Sequence, residues 1–512
     1  MLARIRSAAL LGIDAAPIDV EVDISNGLPS FQTVGLPGGA VREGRSRVAA
    51  ALQHAGFQFP LRRITASLAP SDLPKSGAAL DLPLALAVLA ASGQLPAAAL
   101  EGLLVVGELG LEGDLRPVRG VLSIALLARA EGVRALVVPA ANAAEAAVVE
   151  GLAVAGARTL ADVCAYVRGA LALPPPVAPA RPVAPRDDVD LAEVRGQPTA
   201  RRALEVAAAG AHSLLFIGPP GAGKTLLARR LPTILPALTP TEALECTRIH
   251  SVAGTLPPGR GLLGVRPFRA PHATVSDAGL VGGGRHPSPG EVSLAHGGVL
   301  FLDELPEFRR GVLEALRQPL EDGHVTIARA ARRVTFPARV LLCAAMNPCP
   351  CGWAGVAGRC RCAPDAVTRY RGRISGPLLD RFDLQLELPP VRYAELAGAP
   401  GEGSAAVRAR VEAARAQQQA RAARLGAYAA ANAHLGVRDV RRACPLEPPA
   451  EALLREAMER LGLSARAYHR VLKVARTIAD LAASEALAPA HVAEAIQYRA
   501  LDRERQGAMP QA

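Results

Sequence analysis

Residues 213–231 read SLLFIGPPGAGKTLLARRL: an apolar run, the octet GPPGAGKT at 218–225, and a stretch that can continue as a helix. Strand, glycine-rich turn and helix in that order predict a phosphate-binding loop at the head of an α/β nucleotide-binding domain. In such a loop Gly218, Pro219, Pro220, Gly221, Ala222 and Gly223 bend the backbone so that its N–H groups wrap the phosphates of ATP. Lys224 meets the β and γ phosphates as a point charge, and Thr225 supplies an oxygen to Mg²⁺. Only Lys75, Lys224 and Lys473 are lysines among 58 basic residues. A bias toward arginine is what GC-rich coding produces, so a lysine retained at this position carries weight.

Downstream, residues 299–304 read VLFLDE, an apolar strand ending in adjacent carboxylates. Asp303 is positioned to hold Mg²⁺ through water, and Glu304 to orient and deprotonate an attacking water. The pattern predicts that this strand neighbours the phosphate-loop strand. A third apolar run at 340–346 ends at Asn347, which can hydrogen-bond the γ-phosphate or the attacking water. Residues 321–340, EDGHVTIARAARRVTFPARV, alternate, turn and alternate again, predicting a β-hairpin with Arg329, Arg332 and Arg333 at its tip. Three arginines there suit a DNA backbone; an edge hairpin kept soluble by arginine is the alternative. Arg266, Arg269 and His272, in a Gly/Pro-rich insertion, are candidates for a second DNA-facing loop. Aromatic residues make up 3% of the chain, which favours tracking of the backbone over reading of bases.

Cys349, Cys351, Cys360 and Cys362 form C-x-C, eight residues, C-x-C, directly after Asn347. Two thiolate pairs joined by a loop containing Gly352, Gly355 and Gly358 can close a tetrahedral Zn²⁺ site of the structural kind; free thiols in a cytosolic loop are the alternative. Eight cysteines in 512 residues exclude a disulfide-stapled scaffold.

The chain is long enough for several domains, and half of its residues are hydrophobic, which excludes wholesale disorder. No apolar run reaches the ~20 residues of a membrane span, and the N-terminus lacks a signal-peptide core, so a cytoplasmic protein is expected. Six prolines at 174–185 mark a semi-rigid linker. The expected division is an N-terminal α+β domain at 1–172, a linker at 173–189, an α/β ATPase core at 190–395 and an all-α lid at 396–512. In the lid, Ser404 is expected to cap a helix running to about residue 433. The formal charge of +11 is concentrated after residue 190, which suits a polyanionic partner; a solvated arginine-rich surface is the alternative.

Several segments resemble known families. Asn347 resembles the sensor-1 position of AAA+ P-loop NTPases. GPLLDRFDL at 376–384 is similar to the arginine-finger segment shared by magnesium-chelatase AAA+ subunits and minichromosome-maintenance helicases. The resemblance implies that Arg381 reaches a neighbouring subunit's ATP site, which requires an oligomer. LSARAYHRVLKVARTIADL at 463–481 resembles the lid helix that bears the sensor-2 arginine, implying that role for Arg466, with Arg470 as the other candidate. The hairpin resembles the pore hairpin of those helicases. Residues 73–93 and 107–128 resemble the proteolytic domain of Lon, which has the ribosomal S5 domain 2-like fold. Ala79 and Leu122 fall on its Ser-Lys dyad positions, so peptidase chemistry is not expected.

From about residue 10 to 498 the chain resembles the ComM/YifB family of magnesium-chelatase-like AAA+ proteins, on segments that include RPFRAPHATVSDAGLVGGG at 266–284 and PGEVSLAHGGVLFLDELPEF at 289–308. The resemblance implies an Mg²⁺-dependent ATPase that moves along single-stranded or branched DNA as a homo-oligomeric, hexameric ring, with branch migration during natural transformation attributed to ComM. The rival implied activity is a chelatase motor driving metal insertion into a porphyrin.

Overall fold

Alternation of apolar and polar residues builds the first sheet. In β1 (Leu2–Leu11) and β2 (Asp14–Ser25) every second side chain is buried over most of the length. With β3 (Ser30–Val34), β4 (Arg63–Ala69), β5 (Leu103–Val105), β6 (Ala135–Pro139) and β7 (Val154–Ala157) they form a seven-stranded mixed sheet in the order β3-β4-β2-β1-β5-β6-β7. The β1–β2 and β2–β4 pairs are antiparallel and the others parallel. Among its helices are α1 (Gly39–His54), α2 (Asp81–Ala91) and α3 (Val121–Ala130). Every residue of α2 is buried, including Asp81. A buried carboxylate needs a partner, and Arg47 of α1 supplies one through Nε to Oδ2 at 2.7 Å and Nη2 to Oδ1 at 3.1 Å.

The computed structural model describes residues 1–75, 77–174, 189–257, 259–284, 287–329, 332–426, 431–499 and 501. Most of the expected linker at 173–189 lies outside them. In the second half, in chain order, come β8 (Leu214–Ile217), β9 (Phe268–Arg269), β10 (Val299–Leu302), the hairpin strands β11 (His324–Arg329) and β12 (Arg332–Pro337), β13 (Leu341–Met346) and β14 (Leu384–Glu387). Five of these form an all-parallel sheet, β9-β10-β13-β8-β14. Its three central strands are buried throughout, as parallel strands covered on both faces must be. One expectation is corrected here: β10, which carries the acidic pair, does not adjoin β8. The Asn347 strand β13 lies between them, so the acidic pair and the phosphate loop face each other across Asn347.

Helices α4 (Pro198–Gly210), α5 (Lys224–Ile234) and α6 (Pro240–Ala253) surround the sheet. Then follow α7 (Ser404–Leu425), α8 (Pro448–Arg460), α9 (Ala465–Leu481) and α10 (Pro489–Gln497). Val411, Val471 and Ile478 of these C-terminal helices share one apolar core with Leu204 and Phe216, so the helical region and the sheet are packed as one body. The long helix ends at Leu425, earlier than expected. Gly426, at φ +62°, turns left-handed and donates its N–H back to Ala422 and Ala423, which stops the helix. The cap position is occupied by Gly403, not Ser404. The Ser404 hydroxyl instead accepts the Leu191 N–H at 2.8 Å and bonds Thr233 at 2.7 Å, joining the helical region to the entry of the ATPase core.

The two halves meet through α3 and α6. Buried Glu145 accepts the Leu122 N–H at 2.8 Å and the hydroxyl of Ser251 on α6, and its burial pushes its pKa up against those bonds. The turn between β1 and β2 rests on the hairpin, where a Cβ on Gly12 would stand 2.4 Å from Val334 Cγ1. No helix among the described residues is long and apolar enough to cross a membrane.

The helical region carries one buried ionic cluster. Asp480 accepts from Arg476 Nε at 3.0 Å, from Asn432 at 2.8 Å and from Arg421, with both Arg476 and Asp480 almost fully enclosed. Removing one member leaves an uncompensated charge. Asp480→Ala is therefore expected to cost about 3–5 kcal/mol, read as a lower denaturant midpoint for the transition of the ATPase core and its helices. An unchanged midpoint would show that the cluster is not structural.

Candidate nucleotide site and cysteine centre

The loop after β8 is shaped by glycines where no other residue fits. Gly221 and Gly223 sit at φ +79° and +86°, and a Cβ on Gly218 would lie 2.7 Å from the Leu388 carbonyl oxygen. The turn delivers Lys224 to the first position of α5, where backbone N–H groups and the helix dipole favour anions. Lys224 Nζ donates to the carbonyls of Gly218 at 2.6 Å and Pro219 at 3.0 Å, and to Asn347 Oδ1 at 3.0 Å. Burial lowers its pKa, while Asp303 and Glu304 oppose that shift. Thr225 Oγ1 donates to Asp303 Oδ2 at 2.7 Å. The structure thus brings Lys224, Thr225, Asp303, Glu304 and Asn347 together at the carboxyl ends of three parallel strands, the usual ligand crevice of such sheets.

Glu304 has φ +54°, left-handed for a residue with a side chain, and its N–H donates to Asp303 Oδ1 at 3.0 Å. Non-glycine residues held there cluster at functional sites. The kink separates the two carboxylates: Asp303 is bound to Thr225, and Glu304 is exposed to solvent. An acceptor beside a magnesium ligand, an ammonium for phosphate oxygens and a free carboxylate for a water are the groups that phosphoanhydride hydrolysis needs.

Arg381 and Arg466 lie elsewhere. Arg381 Nη2 pairs with Glu321 Oε2 at 2.5 Å, and Glu321 is held below the usual carboxylate range first by that bond and further by Arg466. Both arginines therefore stand around one acid. Arg381 also lines a cleft of about 790 Å³ with Arg339, Arg470, Lys473 and Asp383. Arg466 is exposed, whereas Arg470 donates to the Phe382 carbonyl and sits 3.8 Å from Asp383. No described hydrogen bond or ion pair of Arg381 or Arg466 reaches the Lys224 site.

The hairpin forms as expected, with Arg329 opposite Arg332 and Ala328 opposite Arg333. Its inner face is core: Val325, Ile327, Val334 and Phe336 are buried. Arg333 is exposed; the side chains of Arg329 and Arg332 and the turn between them lie outside the described residues. The second DNA-facing loop is corrected in part. Arg266 bonds the carbonyls of Pro236 and Gly297 and pairs with Glu242, and Arg269 is held bidentate by Glu291. Those two arginines fix the insertion to the core; of the three candidates, His272 is the one that is exposed.

The cysteine quartet is assembled. Its four sulfurs all lie within 4.8 Å of one another: Cys349 to Cys351 3.3 Å, Cys349 to Cys360 3.9 Å, Cys351 to Cys360 3.8 Å. A disulfide would need about 2.05 Å, and none is formed. The Ala354 N–H donates to Cys349 Sγ at 3.2 Å, and the N–H groups of Arg361 and Trp353 hold the Cys351 thiol down at about 6. Sequence reasoning missed one contact beside it. Gly352, at φ +85°, packs on the phosphate loop so closely that a Cβ would stand 2.7 Å from Pro220 Cδ. Adjacent loops in space leave no periodic signal, and the glycine itself was the only clue.

Two of the three lysines are structural. Lys75 is buried and donates to the carbonyls of Leu68 and Pro70, and Lys473 donates to that of Ala433 at 2.9 Å. Ala79 and Leu122 present no nucleophile; the Ala79 carbonyl accepts the Gly107 N–H at 2.9 Å, and Leu122 is fully buried.

Three family profiles match the chain. One described as magnesium chelatase, subunit ChlI, covers residues 190–396; one described as subunit ChlI of Mg-chelatase covers 20–142; and the subunit's C-terminal profile covers 401–499. The competence protein ComM of Haemophilus influenzae is 46% identical over 514 residues, 98% of each chain. Proteins named YifB from Salmonella typhimurium and Escherichia coli are each 46% identical, again over 98% of both chains.

If this geometry performs hydrolysis, Glu304→Gln retains nucleotide binding while turnover falls by about 10²–10⁴-fold. Lys224→Ala loses nucleotide affinity itself. Titration with a fluorescent ATP analogue and phosphate release separate the two outcomes, and near-normal turnover in Glu304→Gln would remove that residue from the reaction.

Proposed function

The chain belongs to the ComM/YifB family of magnesium-chelatase-like AAA+ proteins, and on that premise we propose that it is an Mg²⁺-dependent ATPase that translocates along DNA as a homo-oligomeric, hexameric ring and migrates branched strands in recombination or natural transformation. The observation that carries the ATPase part is the convergence of Lys224, Thr225, Asp303 and Asn347 within hydrogen-bond reach, with Glu304 beside them. In this reading Thr225 and Asp303 hold the magnesium, Glu304 takes the proton of the attacking water, and Asn347 orients the γ-phosphate. Arg381 completes the site of a neighbouring subunit and Arg466 serves as the sensor-2 arginine of the lid; among the described residues neither has a hydrogen bond to its own Lys224 site, and both act on Glu321 instead. Residues 1–172 act as a Lon-like scaffold without its dyad, 190–395 as the motor and 396–512 as its lid. The four cysteines supply a structural Zn²⁺ site.

DNA contact is assigned to Arg329, Arg332 and Arg333 on a hairpin whose base is anchored in the core. Residues 329–373 hold nine arginines against the single acid Asp365, a local excess suited to a phosphate backbone. A chelatase motor is the second reading, favoured by the chelatase name that all three matching profiles carry, the N-terminal one included. The two differ in what accelerates ATP turnover.

Hydrolysis measured with and without single-stranded and four-way-junction DNA is expected to rise with DNA and to fall away with added salt. Replacing Arg329, Arg332 and Arg333 together by alanine is expected to leave basal hydrolysis and abolish that response. Turnover indifferent to every DNA but raised by a porphyrin-binding partner would establish the second reading.

A further inference from the structure

The cysteine centre touches the ATP site at two points. Cys349, fully buried, follows Asn347 by one proline, and Asn347 is the residue that holds Lys224. Gly352, next to Cys351, packs on Pro220 of the phosphate loop. The far side of the loop returns as well: Cys362 leads into the helix Pro364–Arg371, whose last residue donates from Nε to the Pro348 carbonyl at 3.0 Å. Loop 349–362 is thus bounded on three sides by elements that the nucleotide site uses or that lead into it.

The donor set fits a single tetrahedral thiophilic ion, of which Zn²⁺ is the redox-inert choice. Tetrahedral Zn²⁺ with Zn–S of about 2.3 Å requires S···S edges of about 3.8 Å. The edges among Cys349, Cys351 and Cys360, at 3.3, 3.9 and 3.8 Å, lie around that value, and Cys362 stands within 4.8 Å of each. Four soft sulfur donors leave no open coordination position, so the site is structural and not catalytic. Bound there, Zn²⁺ supplies a cross-link between the two ends of the loop.

We infer that metal loading of Cys349, Cys351, Cys360 and Cys362 braces Asn347 and the Pro220 side of the phosphate loop, so that zinc occupancy and nucleotide affinity are thermodynamically coupled. The inference rests on the reading of Lys224 and Asn347 as an ATP site, and it is independent of DNA. Without the cross-link, Gly352 is free to leave Pro220, and Asn347 loses the anchor that aligns it with Lys224. Linkage makes the effect reciprocal: whatever factor zinc adds to nucleotide affinity, nucleotide adds to zinc affinity.

The test uses the full-length protein without DNA. Zinc per chain is measured by elemental analysis, Co²⁺ uptake by the absorption of a tetrahedral tetrathiolate, and affinity with a fluorescent ATP analogue in saturating Mg²⁺. The expected results are about one zinc per chain, a tetrathiolate cobalt spectrum, and nucleotide affinity weaker by about fivefold or more after chelation or in Cys351→Ser/Cys362→Ser. Gly352→Ala is expected to keep its zinc and still bind nucleotide more weakly, because its Cβ pushes on Pro220. Bound nucleotide is also expected to slow zinc loss to a chelator in the wild type but not in Lys224→Ala, which controls for metal capture by nucleotide in solution. Protein that neither contains zinc nor takes up cobalt overturns the inference. So does folded, metal-free protein with undiminished nucleotide affinity. Failure of the loaded wild type to bind ATP at all would instead remove the ATPase reading.

Discussion

Lys224 has to hold a half-buried positive charge where three strand ends converge, and most of the second half of the chain is arranged around that requirement. Its ammonium is held by two carbonyls of its own loop and by Asn347, while the next residue, Thr225, is bonded to Asp303. Each contact reaches a different strand: β8 carries the loop, β13 the asparagine and β10 the acids. The parallel sheet aligns those three ends, and the apolar core shared with the C-terminal helices keeps them aligned. Glu304 is kinked into a left-handed conformation at the same place, a local cost of order 1–3 kcal/mol that the surrounding packing must offset.

The regions outside the site are connected to it through few, specific contacts. The turn at Gly12 and Ile13 of the N-terminal half rests on the hairpin through Val334, and the Ile13 carbonyl accepts from Ser123 at 2.5 Å and from Arg248 on α6 at 3.2 Å. Glu145 and Ser251 add a buried link between the halves. The cysteine loop lies on the other side of Asn347. Asn347, which contacts Lys224, is thus bordered by the hairpin before it in the chain and by the four-cysteine loop after it.

Much of this was legible in the sequence because the signals were local. GPPGAGKT between an apolar strand and a helix, VLFLDE, and the Asn347 strand are each marked by an apolar run that ends in a chemically distinctive residue, and all appear where expected within a few residues. The hairpin was equally plain from its alternation. Strand order was not: nothing in the composition of β10 or β13 says which one adjoins β8, since all three are continuous apolar runs. The extent of α7 was misjudged because alanines continue past Gly426, and a single glycine outweighs their helix propensity. Arg266 and Arg269 looked free because their partners, Glu242 and Glu291, are more than twenty residues away in the chain. The Gly352 to Pro220 approach, on which the metal coupling depends, is a tertiary contact with no sequence period at all.

In the proposed function, ATP turnover at Lys224 and Glu304 moves DNA. The most direct measurement is branch migration of a fluorescently labelled four-way junction with homologous arms, followed in ATP and in a non-hydrolysable analogue. Conversion of the junction to two duplexes is expected in ATP only, lost in Glu304→Gln although that variant still binds the junction. A junction that is bound, with ATP hydrolysed at the same time, yet never migrates would contradict it.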